Sequence, residues 1–272
     1  MALFMLMAIN LEDALYYRAV FFVFVIFLGL IMGSFANVVI YRFLSNESVI
    51  DPLWSRCPGC QKIIKWYDNI PVLSWLLLRG KCRHCGTSVS IQYPLVELLV
   101  AILFVFNFQK FGINFSFWEY SLYAWILVVV SFIDIKSYLL PDIFTVFGIL
   151  AGFMGSFINP QRDWLDSAIG IVLGGGLFWF LSFVYFYFKK QVGLGGGDIK
   201  LLAMIGAFLG WKALPLVILI ASITGSVAGL LAMRKSTKGL KTMIPFGPFL
   251  AIGGLISLYL PGELSVTYLE FL

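Results

Sequence analysis

The stretch AVFFVFVIFLGLIMGSFANVVIY, Ala19 to Tyr41, runs for twenty-three residues without a charged side chain. At about 1.5 Å of rise per helical residue it crosses a hydrocarbon core of about 30 Å. No basic residue precedes Arg18, and the run exceeds a secretory h-region, so it reads as a membrane span and not as a cleaved signal.

The remainder of the chain fits the same solvent. Hydrophobic residues make up 61% of the 272 and charged residues 12%, against about half and about a quarter in an average soluble domain. Length excludes a disulfide mini-protein, and hydrophobicity excludes a disordered chain. His84 is the single histidine, which rules out His-rich metal centres. Further apolar segments at 91–109, 117–135, 143–161, 167–188, 199–211, 213–233 and 242–262 bring the expected spans to eight. Glu97, Glu119 and Asp134 fall inside the second and third. The sixth is too short to cross straight, at about 20 Å.

Eight alternating spans put residues 42–92, 134–142, 189–200 and 234–241 on one side. These segments hold fifteen of the nineteen lysines and arginines; Arg18, Lys110, Arg162 and Lys212 fall on the other. The bias orients the first set to the cytoplasm and both termini outward. The expected fold is therefore an all-α polytopic membrane protein of about eight transmembrane helices with a small cytoplasmic insertion.

That insertion, 42–92, contains all four cysteines, in the pairs Cys57-Pro-Gly-Cys60 and Cys82-Arg-His-Cys85. Two C-x-x-C knuckles at this separation suit a structural zinc site with four cysteine ligands. A reducing cytoplasmic loop argues against two disulfides. Four thiolates complete the shell, so His84 reads as a solvated side chain. Trp54, Trp66, Tyr67 and Trp75 surround the pairs, either as a small core or at the membrane interface.

Two carboxylates stand at membrane depth on the same face. Asp134 closes the third span in Asp134-Ile-Lys-Ser-Tyr-Leu-Leu-Pro-Asp142, and Asp198 opens the sixth in Gly193-Leu-Gly-Gly-Gly-Asp198-Ile-Lys200. Such residues usually face a partner or a wet cavity. Two acids in one low-dielectric cavity can hold a single proton between them, the state that aspartic protease chemistry uses. Taken singly, Asp198 could be a helix N-cap, and Asp134 an interfacial carboxylate paired with Lys136. The glycine run lacks the Gly-Lys-Ser/Thr ending of a phosphate loop, and its terminal Asp would repel phosphate.

In order along the chain stand Gly33-Ser-Phe-Ala-Asn37 through Arg42, the two cysteine pairs enclosing Trp66-Tyr-Asp-Asn-Ile-Pro71, then Tyr93-Pro94-x-x-Glu97, Asp134 to Asp142, Gly195-Gly-Gly-Asp198-Ile-Lys200 and Pro245-Phe-Gly-Pro248. This series closely resembles the bacterial type IV prepilin peptidases, the leader peptidase/N-methyltransferases of the Gly-x-Gly-Asp intramembrane aspartyl protease class. The resemblance implies an inner-membrane enzyme that cuts basic leaders from type IV pilin-like precursors after Gly at the cytoplasmic face. It implies methylation of the new amino terminus from S-adenosylmethionine. It makes Asp134 and Asp198 the catalytic pair, with Asp142, Gly195, Gly197 and Lys200 in support and Cys57, Cys60, Cys82 and Cys85 as metal ligands.

The expected organisation is a first helix in 1–41, a cytoplasmic zinc-binding part in 42–92 that bears on methyl transfer, and a protease part in 93–272. No sequence signature places a methyl-donor site, and none suggests nucleic-acid binding. The rival readings are a transporter in which the two aspartates relay protons or cations, and a zinc-containing assembly protein. Internal inverted repeats, which a transporter predicts, are not visible.

Overall fold

The computed structural model describes residues 11–48, 54–190, 195–235 and 244–260. The expected outward termini, Gly193 and the ends of the 242–262 segment lie outside those residues. The described chain is helical, with two isolated β-bridges, and divides into two compact units, Met1–Ile113 and Asn114–Leu272.

The first unit contains α1 (Leu11–Leu44), the short α2 (Leu73–Leu77) and α3 (Gln92–Phe111), with a 3-10 turn at Trp66–Asn69. Helices α1 and α3 run antiparallel in close contact. A Cβ on Gly29 would meet the Ala101 backbone, and one on Gly33 the Glu97 backbone. One turn further, Asn37 donates to the Tyr93 carbonyl at 3.0 Å. This small-residue stripe is how membrane helices approach, since lipid supplies no hydrophobic drive between them. Packing on α1 puts α3 with the first unit.

The second unit contains α4 (Phe115–Ser137), α5 (Asp142–Gly155), α6 (Trp164–Lys189), α7 (Gly196–Leu209), α8 (Leu214–Lys235) and α9 (Gly247–Tyr259). Its centre is α7, where Leu201 through Phe208 are all buried. A helix apolar all round belongs in such a position. Gly170 and Gly206 bring the α6 and α7 backbones together, and a Cβ on either would overlap the other's carbonyl.

Helix α4 starts in one polar layer, near Glu119, and ends in another, at Asp134. Glu119 and Asp134 lie fifteen residues, about 22 Å, apart along α4. The contacts of Asp142 with Lys200 and of Gly155 with Glu119 show that α5 runs from the second layer to the first. Helix α7 makes the same journey, from Asp198 to the turn where Trp211 Nε1 donates to Asp166 at 3.0 Å. Helix α9 starts against Asp134 and reaches Tyr123 by Gly254. By length and apolarity five helical segments can cross a membrane: Tyr17–Leu44, Gln92–Phe111, Phe115–Ser137, Trp164–Lys189 and Trp211–Arg234. The three others, at thirteen or fourteen residues, match the 22 Å between the layers rather than a full bilayer core.

The Glu119 layer is a closed polar knot. Arg162 donates to Glu119, to the Gly152 carbonyl and to the Tyr120 hydroxyl. Asn159 donates to the other Glu119 oxygen and accepts from Ser116. Sequence reading places Arg162 in an outer loop; its side chain is instead buried against α4. Both charges are 4% exposed, so removing one strands the other. Arg162→Met is expected to destabilise the protein by about 3–5 kcal/mol, and adding Glu119→Leu should recover much of that loss. Thermal unfolding in detergent measures both. Equal stability of the single variant and the parent would contradict the buried-pair argument.

Candidate functional site

Asp134 sits in the last turn of α4, buried at 4% exposure. That turn closes on Tyr138, whose left-handed backbone (φ 56°) donates its N–H to the Asp134 carbonyl. The chain then turns through Leu140 and Pro141 into α5. The Asp134 carboxylate does not pair with Lys136. It accepts the Gly247 N–H at 2.9 Å. Gly247 opens α9, so the carboxylate meets the donor-rich start of a helix. The Pro245-to-Pro248 motif acquires a physical role here, because a Cβ on Gly247 would stand 2.7 Å from Asp134 Oδ2.

Asp198 lies in the first turn of α7, partly buried, and Asp134 bears on it electrostatically. The helix begins earlier than expected. Gly195 is the N-cap, and Gly196 and Gly197 are already helical. Asp198 is thus not the cap; its own N–H bonds to the Gly195 carbonyl at 3.1 Å. Gly197 faces Leu140, where a Cβ would come within 2.6 Å of the leucine Cβ. This close approach brings the α7 start against the 138–141 turn. Lys200 and Asp142 pair with each other at 2.7 Å, a contact between partly exposed groups that links α7 to α5. The six expected residues of this region, Asp134, Asp142, Gly195, Gly197, Asp198 and Lys200, therefore gather at one end of the second unit. Leu140 and the Gly247 N–H join them, and neither was singled out as a functional group in the sequence.

In the first unit the two cysteine pairs fold as matched knuckles. Gln61 N–H returns to the Cys57 carbonyl and Gly86 N–H to that of Cys82, with positive φ at both Gln61 and Gly86. The flanking bridges Arg56–Ile63 and Lys81–Ser88 repeat the same pattern. All four Sγ atoms lie within 4.8 Å of one another, and none is in a disulfide. Cys57 and Cys85 Sγ are 3.7 Å apart. A tetrahedron with metal–sulfur bonds of about 2.3 Å has edges of about 3.8 Å, so the thiol set fits such an ion. The Thr87 hydroxyl, followed by backbone N–H donation, lowers the Cys85 thiol to about 6. Burial pushes Cys57 up to about 11. His84 is exposed and outside the set. Arg83 clasps Asp68 at 2.7 and 3.0 Å, and Trp75 packs on Gly80 while donating to the Val89 carbonyl. Trp54 and Trp66 stay exposed, at 64% and 77%.

Residues 27–111 match the family model described as the Bacterial Peptidase A24 N-terminal domain, and residues 121–230 match that of the Type IV leader peptidase family. A Stutzerimonas stutzeri protein is 37% identical over 90% of this chain and 92% of its own length. One from Aeromonas hydrophila is 36% identical over 97% and 99%. One from Myxococcus xanthus is 41% identical over 80% of this chain, which covers 65% of that longer protein. Each of the three is named prepilin leader peptidase/N-methyltransferase. No solved structure gives a significant match.

Proposed function

The chain belongs to the type IV leader peptidase family, and on that premise we propose that it is a prepilin leader peptidase that also N-methylates the new amino terminus. The single observation that carries the protease half is that Asp134 and Asp198 stand at one end of the second unit, within electrostatic reach of each other and on either side of Leu140, beside a glycine-lined helix start. Two neighbouring carboxylates at this depth share one proton. The ionised member takes a proton from water while the protonated one donates to the scissile carbonyl. The Gly247 N–H fixes the Asp134 carboxylate for this exchange. The substrates are type IV pilin-like or pseudopilin precursors, cut after Gly at the start of their apolar helix.

The five long helices and the three of thirteen or fourteen residues are all read as spans, eight together, the short ones crossing where the polar layers narrow the bilayer. The supports are the alternating helix directions within the second unit and the fifteen-to-four split of basic residues. On this reading the cysteine loop and the aspartates belong to the cytoplasmic face of a bacterial inner membrane. Reporter fusions at Ser88 and Leu272 are expected on opposite sides, and a shared side would remove this topology.

The four thiols are read as a structural zinc site, which supplies folding free energy and closes the 57–85 loop. Residues 54–90 so organised bear on precursor recognition and methyl transfer, with S-adenosylmethionine as the methyl-donating substrate. A proton or cation relay gains no support from α7, the helix at the centre of the second unit, which offers no polar side chain between Leu201 and Phe208. The test is incubation of the pure protein with a pilin-like precursor and methyl-labelled donor, reading cleavage and label separately. Both signals are expected. Intact precursor would overturn the protease assignment, and cleaved but unlabelled product the methyltransferase one.

A further inference from the structure

Resting on the methyltransferase reading above, we propose that Glu97 and Asn37 form the seat of the amine that is methylated, with the Glu97 carboxylate accepting its proton. Glu97 lies in the second turn of α3, facing α1, and is 6% exposed. Its partners are the Val72 N–H at 2.6 Å and the Ser34 hydroxyl. No cationic side chain of the described residues pairs with it. A carboxylate at this depth without a counter-charge is costly and marks a site whose partner arrives from outside.

A second observation lies one turn away in the same α1–α3 interface. Asn37 is 2% exposed, its amide N–H groups go to the Tyr93 and Gly33 carbonyls, and its Oδ1 has no donor. Two buried acceptors therefore lie about one helical turn apart in this interface, and neither faces a cation among the described residues. A primary ammonium supplies three N–H donors and the missing positive charge. The nearby titratable groups are phenols: Tyr93 interacts electrostatically with Glu97, and Tyr41 with Tyr93.

The Val72 contact explains how a closed site could admit a ligand. Val72 has φ 61° and ψ −51°, and Leu73 N–H bonds to the Pro71 carbonyl at 2.6 Å. This is the γ-turn with positive φ, rare and strained for a β-branched residue. Its N–H occupies the carboxylate where an ammonium N–H would bind, and the strain makes it ready to leave. The ligand is then the α-ammonium exposed by leader cleavage. Proton transfer to Glu97 leaves a neutral amine whose lone pair attacks the sulfonium methyl group. The N–C bond forms, the S–C bond breaks with its electron pair staying on sulfur, the product leaves as the N-methylammonium, and Glu97 returns its proton to water.

The test uses the full-length protein with labelled S-adenosylmethionine and a synthetic peptide carrying the mature amino terminus of a pilin-like substrate. Glu97→Gln keeps an acceptor for the Val72 N–H but cannot take a proton. Methyl transfer near pH 7 is expected to fall about 100-fold or more, while precursor cleavage and bound metal stay at parental values. The deficit should shrink as pH rises past the α-amine range of about 7.7–8.0, where bulk solvent supplies the neutral amine. Asn37→Ala should raise KM for the peptide and leave KM for the donor alone. Normal methylation by Glu97→Gln overturns the proposal. So does a parallel loss of cleavage and metal, which would make Glu97 only a tether for Val72. If the parent protein itself fails to label the precut peptide, the methyltransferase reading falls and this assignment with it.

Discussion

Asp134→Asn and Asp198→Asn are each expected to lower leader cleavage by about 10⁴-fold or more, and the double variant by little beyond either single one. Members of a concerted catalytic unit behave in this non-additive way, because losing one leaves the other without a partner reaction. The substitution is a clean probe at Asp134. An Asn amide oxygen still accepts the Gly247 N–H that holds the side chain at 2.9 Å, so α4 and α9 keep their contact. What vanishes is the capacity to exchange a proton with water. At Asp198 the neighbours are Gly195 and the Asp134 charge, and Asn fits the same space. Methylation of a precut substrate should continue in all three variants, since both aspartates belong to the second unit and the cysteine loop to the first. Near-normal cutting by either well-folded variant would end the protease assignment.

Changing any one of Cys57, Cys60, Cys82 or Cys85 to Ser is expected to release the metal and unfold the 54–90 segment. The described fold there rests on two short bridges, one five-residue helix and one 3-10 turn, with no buried apolar core of its own beyond Cys57. Closed four-cysteine sites contribute folding free energy directly, about 10–16 kcal/mol in zinc-finger peptides. Elemental analysis should give one zinc per parent chain and far less in the variants. Limited proteolysis should open new cuts between Trp54 and Ser90. Methyl transfer should be lost with the metal. A metal-free protein that stays protected and methylates normally would contradict the assignment. Acidification should act in the same direction as the substitutions, because the ligands bind as thiolates and protons compete with the ion.

The helices are legible in the sequence because each is an apolar run bounded by polar or glycine-rich residues, and hydropathy along the chain reports that. The cysteine cluster is legible because C-x-x-C spacing builds a knuckle by local geometry, which Gln61 and Gly86 then close. Other features depend on residues far apart. Nothing near Asp134 announces that Gly247 will donate to it across 113 positions. Arg162 reads as an outer-loop charge until Glu119 is seen to lie beside it. The start of α7 departs from expectation for a similar reason. Three glycines suggest non-helical backbone by propensity, yet Gly196 and Gly197 are helical, and the packing of Gly197 against Leu140 is the tertiary contact that outweighs propensity there. Glu97 is visible in the sequence as a charge inside a span, but its strained partner Val72 is not.

The most direct measurement is amino-terminal sequencing and intact mass of the product formed when the pure protein acts on a pilin-like precursor with S-adenosylmethionine present. The expected product begins at the residue after the leader's final glycine and carries one methyl group on its α-nitrogen, formed by the parent chain and absent with Asp198→Asn. A precursor left whole by the parent, a cut within the apolar helix, or the same product from Asp198→Asn would contradict it.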